Sequence, residues 1–93
     1  MLSQAPINLS KLKQDDIDKE ALRLAIIAEL DAISLYEQLA SMVSKKDLKK
    51  VLLDVAKEEK THVGEFQALL LKYDKDQVKE LENGRKEVEE LAE

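Results

Sequence analysis

Ninety-three residues with a net charge of −5 and no cysteine make a single domain and exclude disulfides, thiolate-bound zinc and a Cys-x-x-Cys iron module. The acidic balance argues against nucleic acid as a partner, because neutralising phosphates requires a basic surface. Aromatic residues are only 3% of the chain, so Leu, Ile, Val and Ala must fill a core that stays limited unless copies associate.

Residues 1–14, which include Pro6, read as an extended lead-in. The first ten residues lack a signal-peptide pattern and no apolar run approaches a membrane span, so a soluble, cytoplasmic protein is expected. Asp15 or Asp16 is the expected N-cap of a first long helix that ends near Val43. Along it Leu22, Ile26, Glu29, Ile33, Tyr36, Ala40 and Val43 recur at steps of four and three, an apolar stripe interrupted by one carboxylate. A turn is expected at Val43-Ser44-Lys45, with Ser44 capping the next helix and the lysines of residues 45–50 solvated around it.

The second helix is expected to end near Tyr73-Asp74 and carries the stripe Leu48, Leu52, Val55, Glu59, His62, Phe66, Leu69 and Tyr73. Residues 15–74 thus form one antiparallel hairpin, and residues 75–93 form a charged C-terminal helix or arm. In that arm Val78, Leu81, Val88 and Leu91 give a thin apolar stripe, while Asn83-Gly84 is a turn signal expected to break or kink it. Two readings of the arm stand side by side: a helix packed on a neighbouring copy, or a solvated, frayed one.

The chemistry concentrates in the middle of the hairpin. With the turn centred on Ser44, Glu29 and Glu59 lie at equal distance from it, about 22 Å along their helices, and His62 follows one turn after Glu59. An ionised carboxylate on an apolar stripe requires a shifted pKa, a partner charge or a metal. Two glutamates and an imidazole form a hard ligand set suited to iron, manganese or zinc. Di-iron carboxylate bundles take a Glu from each of two helices and a Glu-x-x-His from each of the other two; this chain has one of each. A second imidazole can come only from another copy, so the expected architecture is all-α: an antiparallel two-helix hairpin plus a C-terminal helix, completing a four-helix bundle by dimerisation.

Glu29 followed seven residues later by Tyr36, then Glu59-x-x-His62, resembles the metal-binding signature of the ferritin-like and rubrerythrin-like superfamily. The short one-hairpin form is most similar to the encapsulated ferritins, over roughly residues 17 to 73. The resemblance implies a ferroxidase that oxidises Fe(II) to Fe(III) at a di-iron centre shared between two subunits. It implies Glu29, Glu59 and His62 as iron ligands, Tyr36 beside the centre and Asp31 near the path by which metal arrives. It also implies homo-oligomeric rings housed in an encapsulin nanocompartment, whose shell stores the iron.

Each residue also has a plainer reading. The Glu59–His62 pair could be a buried hydrogen bond that fixes helix register, Tyr36 a core aromatic, and Glu37, Glu58 and Glu65 solvated surface. The competing functions are a rubrerythrin-like di-iron unit that reduces peroxide and a metal-free helical oligomerisation module.

Overall fold

Helix-forming residues run almost without interruption from Gln14 onward, and the chain folds accordingly into three helices: α1 (Gln14–Met42), α2 (Lys46–Tyr73) and α3 (Lys75–Ala92). The structure, a computed structural model, describes residues 13–93; the lead-in expected over residues 1–14 lies outside these except for Lys13 and Gln14. No strand occurs among the described residues, as the all-α expectation requires.

The helix starts depart from expectation. Lys13 occupies the N-cap place of α1, and Asp15 and Asp16 fall inside the first turn, where their charges face the positive end of the helix dipole instead of capping it. The Gln14 side chain reaches Asp18 at 2.9 Å, and the Ile17 N–H donates to the Lys13 carbonyl at 2.9 Å, so the helix begins before the residues expected to cap it. Residues 43–45 form the hairpin turn as expected, but Lys45 and not Ser44 stands at the N-cap of α2, with no side-chain cap. Asp47 accepts from the Leu48 N–H at 2.8 Å in that first turn.

α1 and α2 pack antiparallel and supply nearly all of the contact between elements. Ion pairs between Arg23 and Asp74 and between Glu37 and Lys60 tie the two helices together along their length. Among the described residues, Ile33, Ala40, Ala56 and Leu70 are the buried apolar ones. Ile33 and Ala40 lie on the expected stripe of α1, whereas Ala56 and Leu70 lie one position to the side of the stripe read for α2. Leu48, Leu69 and Tyr73, all on that stripe, are exposed. A single neighbouring helix covers a narrow seam, and the apolar arc of α2 is wider than that seam. The remainder faces outward with Leu30, Met42 and Val51, which are 51%, 78% and 60% exposed.

Asp74 alone separates α2 from α3, at φ −128° and ψ 90°. The Asn83-Gly84 pair does not break α3. No glycine has positive φ, Asn83 bonds Glu80 at 3.0 Å, and Arg85 bridges Glu82 on one side and Glu89 on the other. No residue of α3 is buried, and the chain spreads over 47 × 44 × 20 Å. No helix of the described residues is long and apolar enough to cross a membrane.

Candidate metal centre

Glu29 on α1 meets Glu59 and His62 on α2, which are one turn apart and therefore share a face. Their candidate ligand atoms all lie within 4.8 Å of one another. His62 Nδ1 stands 3.6 Å from Glu29 Oε2 and 3.5 Å from Glu59 Oε2. Both distances exceed a good hydrogen bond. The Glu29 and Glu59 side chains are 20% and 18% exposed, and that of His62 is 42% exposed, so the cluster is closed on the carboxylate side and open at the imidazole.

Glu29 Oε2 is the decisive atom. It is buried and has no hydrogen-bond partner among the described residues. Leaving a buried acceptor unsatisfied costs about 1–3 kcal/mol, and more for a charged one. A register-fixing Glu–His hydrogen bond would have removed that cost by closing to about 2.9 Å. Two donors bound about 2.1 Å from one ion stand roughly 3 to 3.5 Å apart, which the separations here approach. The residues present therefore fit a first-row divalent metal. Two anionic oxygens and one neutral nitrogen favour iron, manganese or zinc.

The other singled-out residues lie outside this cluster. Tyr36 is half-buried on α1, two turns beyond Glu29, and among the described residues no hydrogen bond ties it to the three ligands. Asp31 follows Glu29 by two positions and so points to another side of α1. There it lines a shallow depression of about 250 Å³ with Ile27, Leu30 and Ser34. Glu58 and Glu65 are exposed as expected, and Glu37 is exposed but paired with Lys60 at 3.2 Å. A roomier depression, about 340 Å³, lies between Asp15, Asp18, Lys19 and Tyr73, away from the ligand set; convergence of donors, not cavity size, marks the site.

The family profile described as rubrerythrin matches residues 20–93. The chain belongs to the rubrerythrin family. This rubrerythrin-family chain is 57% identical, over 94 residues, to a ferritin-like-encapsulin shell fusion protein of Pyrococcus furiosus. That match takes in 99% of this chain and 27% of the fusion protein, so the chain spans about a quarter of the curated relative's length. The crystal structure of the encapsulated ferritin domain from Pyrococcus furiosus matches with a TM-score of 0.84 at 56% identity, covering 98% of this chain and 95% of that one. The expected likeness to ferritin-like proteins, and to encapsulated ferritins among them, is borne out.

The described residues hold a second polar cluster that sequence reasoning missed. Arg23 of α1 bonds Glu20 at 2.6 Å and Asp74 at 3.0 Å, and Asp74 also accepts from the Gln77 N–H at 3.1 Å. The signal for part of it was present: Asp74-x-x-Gln77 is the spacing of a helix-capping pattern. Arg23 carries no such mark, because its partner is 51 residues away.

Proposed function

We propose that the chain is a ferroxidase, oxidising Fe(II) to Fe(III) at a di-iron site completed by a second copy of itself. The observation that carries this reading is the buried Glu29 Oε2, without a hydrogen-bond partner among the described residues, facing a second carboxylate and an imidazole. In this reading Glu29, Glu59 and His62 are the ligands. Two copies supply four glutamates and two histidines, the complement of a di-iron carboxylate bundle. The exposed apolar face of the hairpin, with Leu30, Met42 and Val51, supports pairing, since burying such surface stabilises association at about 25 cal/mol per Å².

The carboxylates of Glu29 and Glu59 bind and neutralise the incoming Fe²⁺ substrate, and as hard anionic donors they favour the ferric state. His62 contributes a neutral donor at the open side of the cluster. When bound, the iron pair supplies the redox chemistry, passing electrons to dioxygen or peroxide. Tyr36 is assigned a place beside the assembled centre, with its hydroxyl available to orient a carboxylate. Asp31 is assigned to guiding ferrous ions toward the site. Storage of the product requires an enclosing cage, and the shell fusion in the Pyrococcus relative supports an encapsulin nanocompartment as the partner.

The test loads the chain with Fe(II) without oxygen, admits air, and follows ferric absorbance for wild type and His62→Ala. Rapid oxidation by the wild type and its loss in the variant are expected. Equal rates in both would overturn the assignment. Oxidation with peroxide but not with air would replace it by a peroxide-reducing di-iron unit.

A further inference from the structure

Among the described residues α3 buries none of its 18 side chains fully, so packing does little to fix its direction. The corner it springs from contains neither Gly nor Pro between residues 65 and 83, so no residue there forbids α2 and α3 from running on as one straight helix. Yet the helix stops at Tyr73, Asp74 takes a non-helical conformation, and the helix restarts at Lys75.

Every polar atom of Asp74 is engaged. Its N–H donates to the Leu70 carbonyl at 2.8 Å, and its carbonyl accepts from the Val78 N–H at 3.4 Å. Oδ1 caps α3 through the Gln77 N–H at 3.1 Å, and Oδ2 accepts from Arg23 Nη2 at 3.0 Å. Arg23 uses its fork to hold two carboxylates at once, with Nη1 on Glu20 at 2.6 Å. The Glu20 and Asp74 side chains are 17% and 12% exposed and that of Arg23 is 42% exposed, so the pairing is sheltered on its carboxylate side and open to solvent and salt at the guanidinium.

We infer that this corner, and not packing, sets the angle at which α3 leaves the hairpin, with Arg23 as the clamp and Asp74 as the pivot. The planar guanidinium anchors the bend to α1, whose direction the α1–α2 seam already fixes. The cap and the clamp do different work. The cap makes restarting the helix at Lys75 favourable, while the clamp selects one direction for it. α3 is thus an arm held at a preset angle, and its apolar stripe of Val78, Leu81, Val88 and Leu91 meets any partner from that angle. This device operates whether or not metal binds.

The chain has no cysteine, so labels can be placed cleanly at Lys49→Cys on α2 and Lys86→Cys on α3. Distances between spin labels are then measured in chains diluted with unlabelled protein. A straightened α2–α3 helix would separate the two positions by about 55 Å, and the bent corner by less. Wild type is expected to give a single shorter distance. Arg23→Gln is expected to lose that peak for a broad distribution extending toward the straight value, with helical circular dichroism unchanged. Asp74→Asn keeps a good N-cap but loses the charge, and so is expected to reproduce the Arg23→Gln distribution; the double variant is expected to be no broader than either single one. Arg23→Lys, which keeps charge without the fork, is expected to restore the peak only in part. A wild-type distribution in Arg23→Gln would overturn the proposal, as would a double variant much broader than both singles.

Discussion

Two polar clusters bridge α1 and the distal helices, and they differ in how completely their atoms are satisfied. At the α2–α3 corner one guanidinium faces two carboxylates, and the three side chains make bonds of 2.6, 3.0 and 3.1 Å. In the middle of the hairpin two carboxylates face one imidazole at 3.5 and 3.6 Å, and a buried oxygen has no hydrogen-bond partner among the described residues. The first cluster is complete within one chain and reads as structure. The second remains incomplete and reads as a place for a cation. Burial and residue type are similar in the two, so satisfaction of the donors and acceptors is what separates a brace from a binding site.

Mutations that break this contrast most sharply are those in the ligand set. His62→Ala and Glu59→Ala are expected to slow ferrous oxidation by more than about 100-fold, the upper range for loss of mere outer-shell support. The same sites should cost nothing in the metal-free chain. Glu29→Gln is expected to raise the metal-free melting temperature, since it removes one of two facing carboxylates, as stability is often gained where function is lost. A fall in metal-free stability on that substitution would place the central cluster with the corner as a structural brace.

A divalent metal should then stabilise only what the ligand set can hold. At about one hundred times its dissociation constant, a metal that binds the folded chain is expected to add about 2.7 kcal/mol, measured as a rise in denaturation midpoint. Glu29→Ala should lose the increment, while Arg23→Gln should retain it.

Acid distinguishes the corner in the opposite way. The backbone N–H of Gln77, helped by Lys19 and Arg23, holds the Asp74 carboxyl below the usual carboxylate range. A carboxylate with a lowered folded pKa contributes its full stability above the ordinary value and loses it as pH falls through the folded one. The Asp74 carboxyl resonance is therefore expected to titrate below the ordinary carboxylate range, and the bend to open only after that step. Glu20, on the far side of Arg23, competes for the same guanidinium, so Glu20→Gln should lower the Asp74 titration further.

The smallest effect lies in α3. A methyl group added at Gly84 meets nothing within 4 Å, and the backbone there has no positive φ. Gly84→Ala is expected to stabilise α3 by about 0.4–1 kcal/mol, read by thermal denaturation, through loss of freedom in the unfolded chain.

Much of this was legible in the sequence because it rests on local periodicity. The steps of four and three gave both long helices, the turn at residues 43–45, and the meeting of Glu29 with Glu59 and His62, since equal distance from a turn is simple counting along two rods. Asn83-Gly84 misled because a turn signal is weak beside the strong helix formers at residues 79–82 and 85–87 and the Arg85 bridges to Glu82 and Glu89. The centre of the stripe on α2 faces α1 as read, but the fully buried positions, Ala56 and Leu70, lie one residue to its side because apolar residues there cover a wider arc than one partner helix buries. The corner depended on Arg23 reaching Asp74 across 51 residues, a contact with no local trace.

The shared-site reading is tested most directly by sedimentation of the chain with graded anaerobic Fe(II), with iron per chain measured in each sedimenting species. A site built from two half-sites requires about one tightly held iron per chain, bound only in dimers or larger assemblies and absent from Glu29→Ala. Iron held tightly by a monomer, or assemblies that ignore iron and bind none, would contradict it.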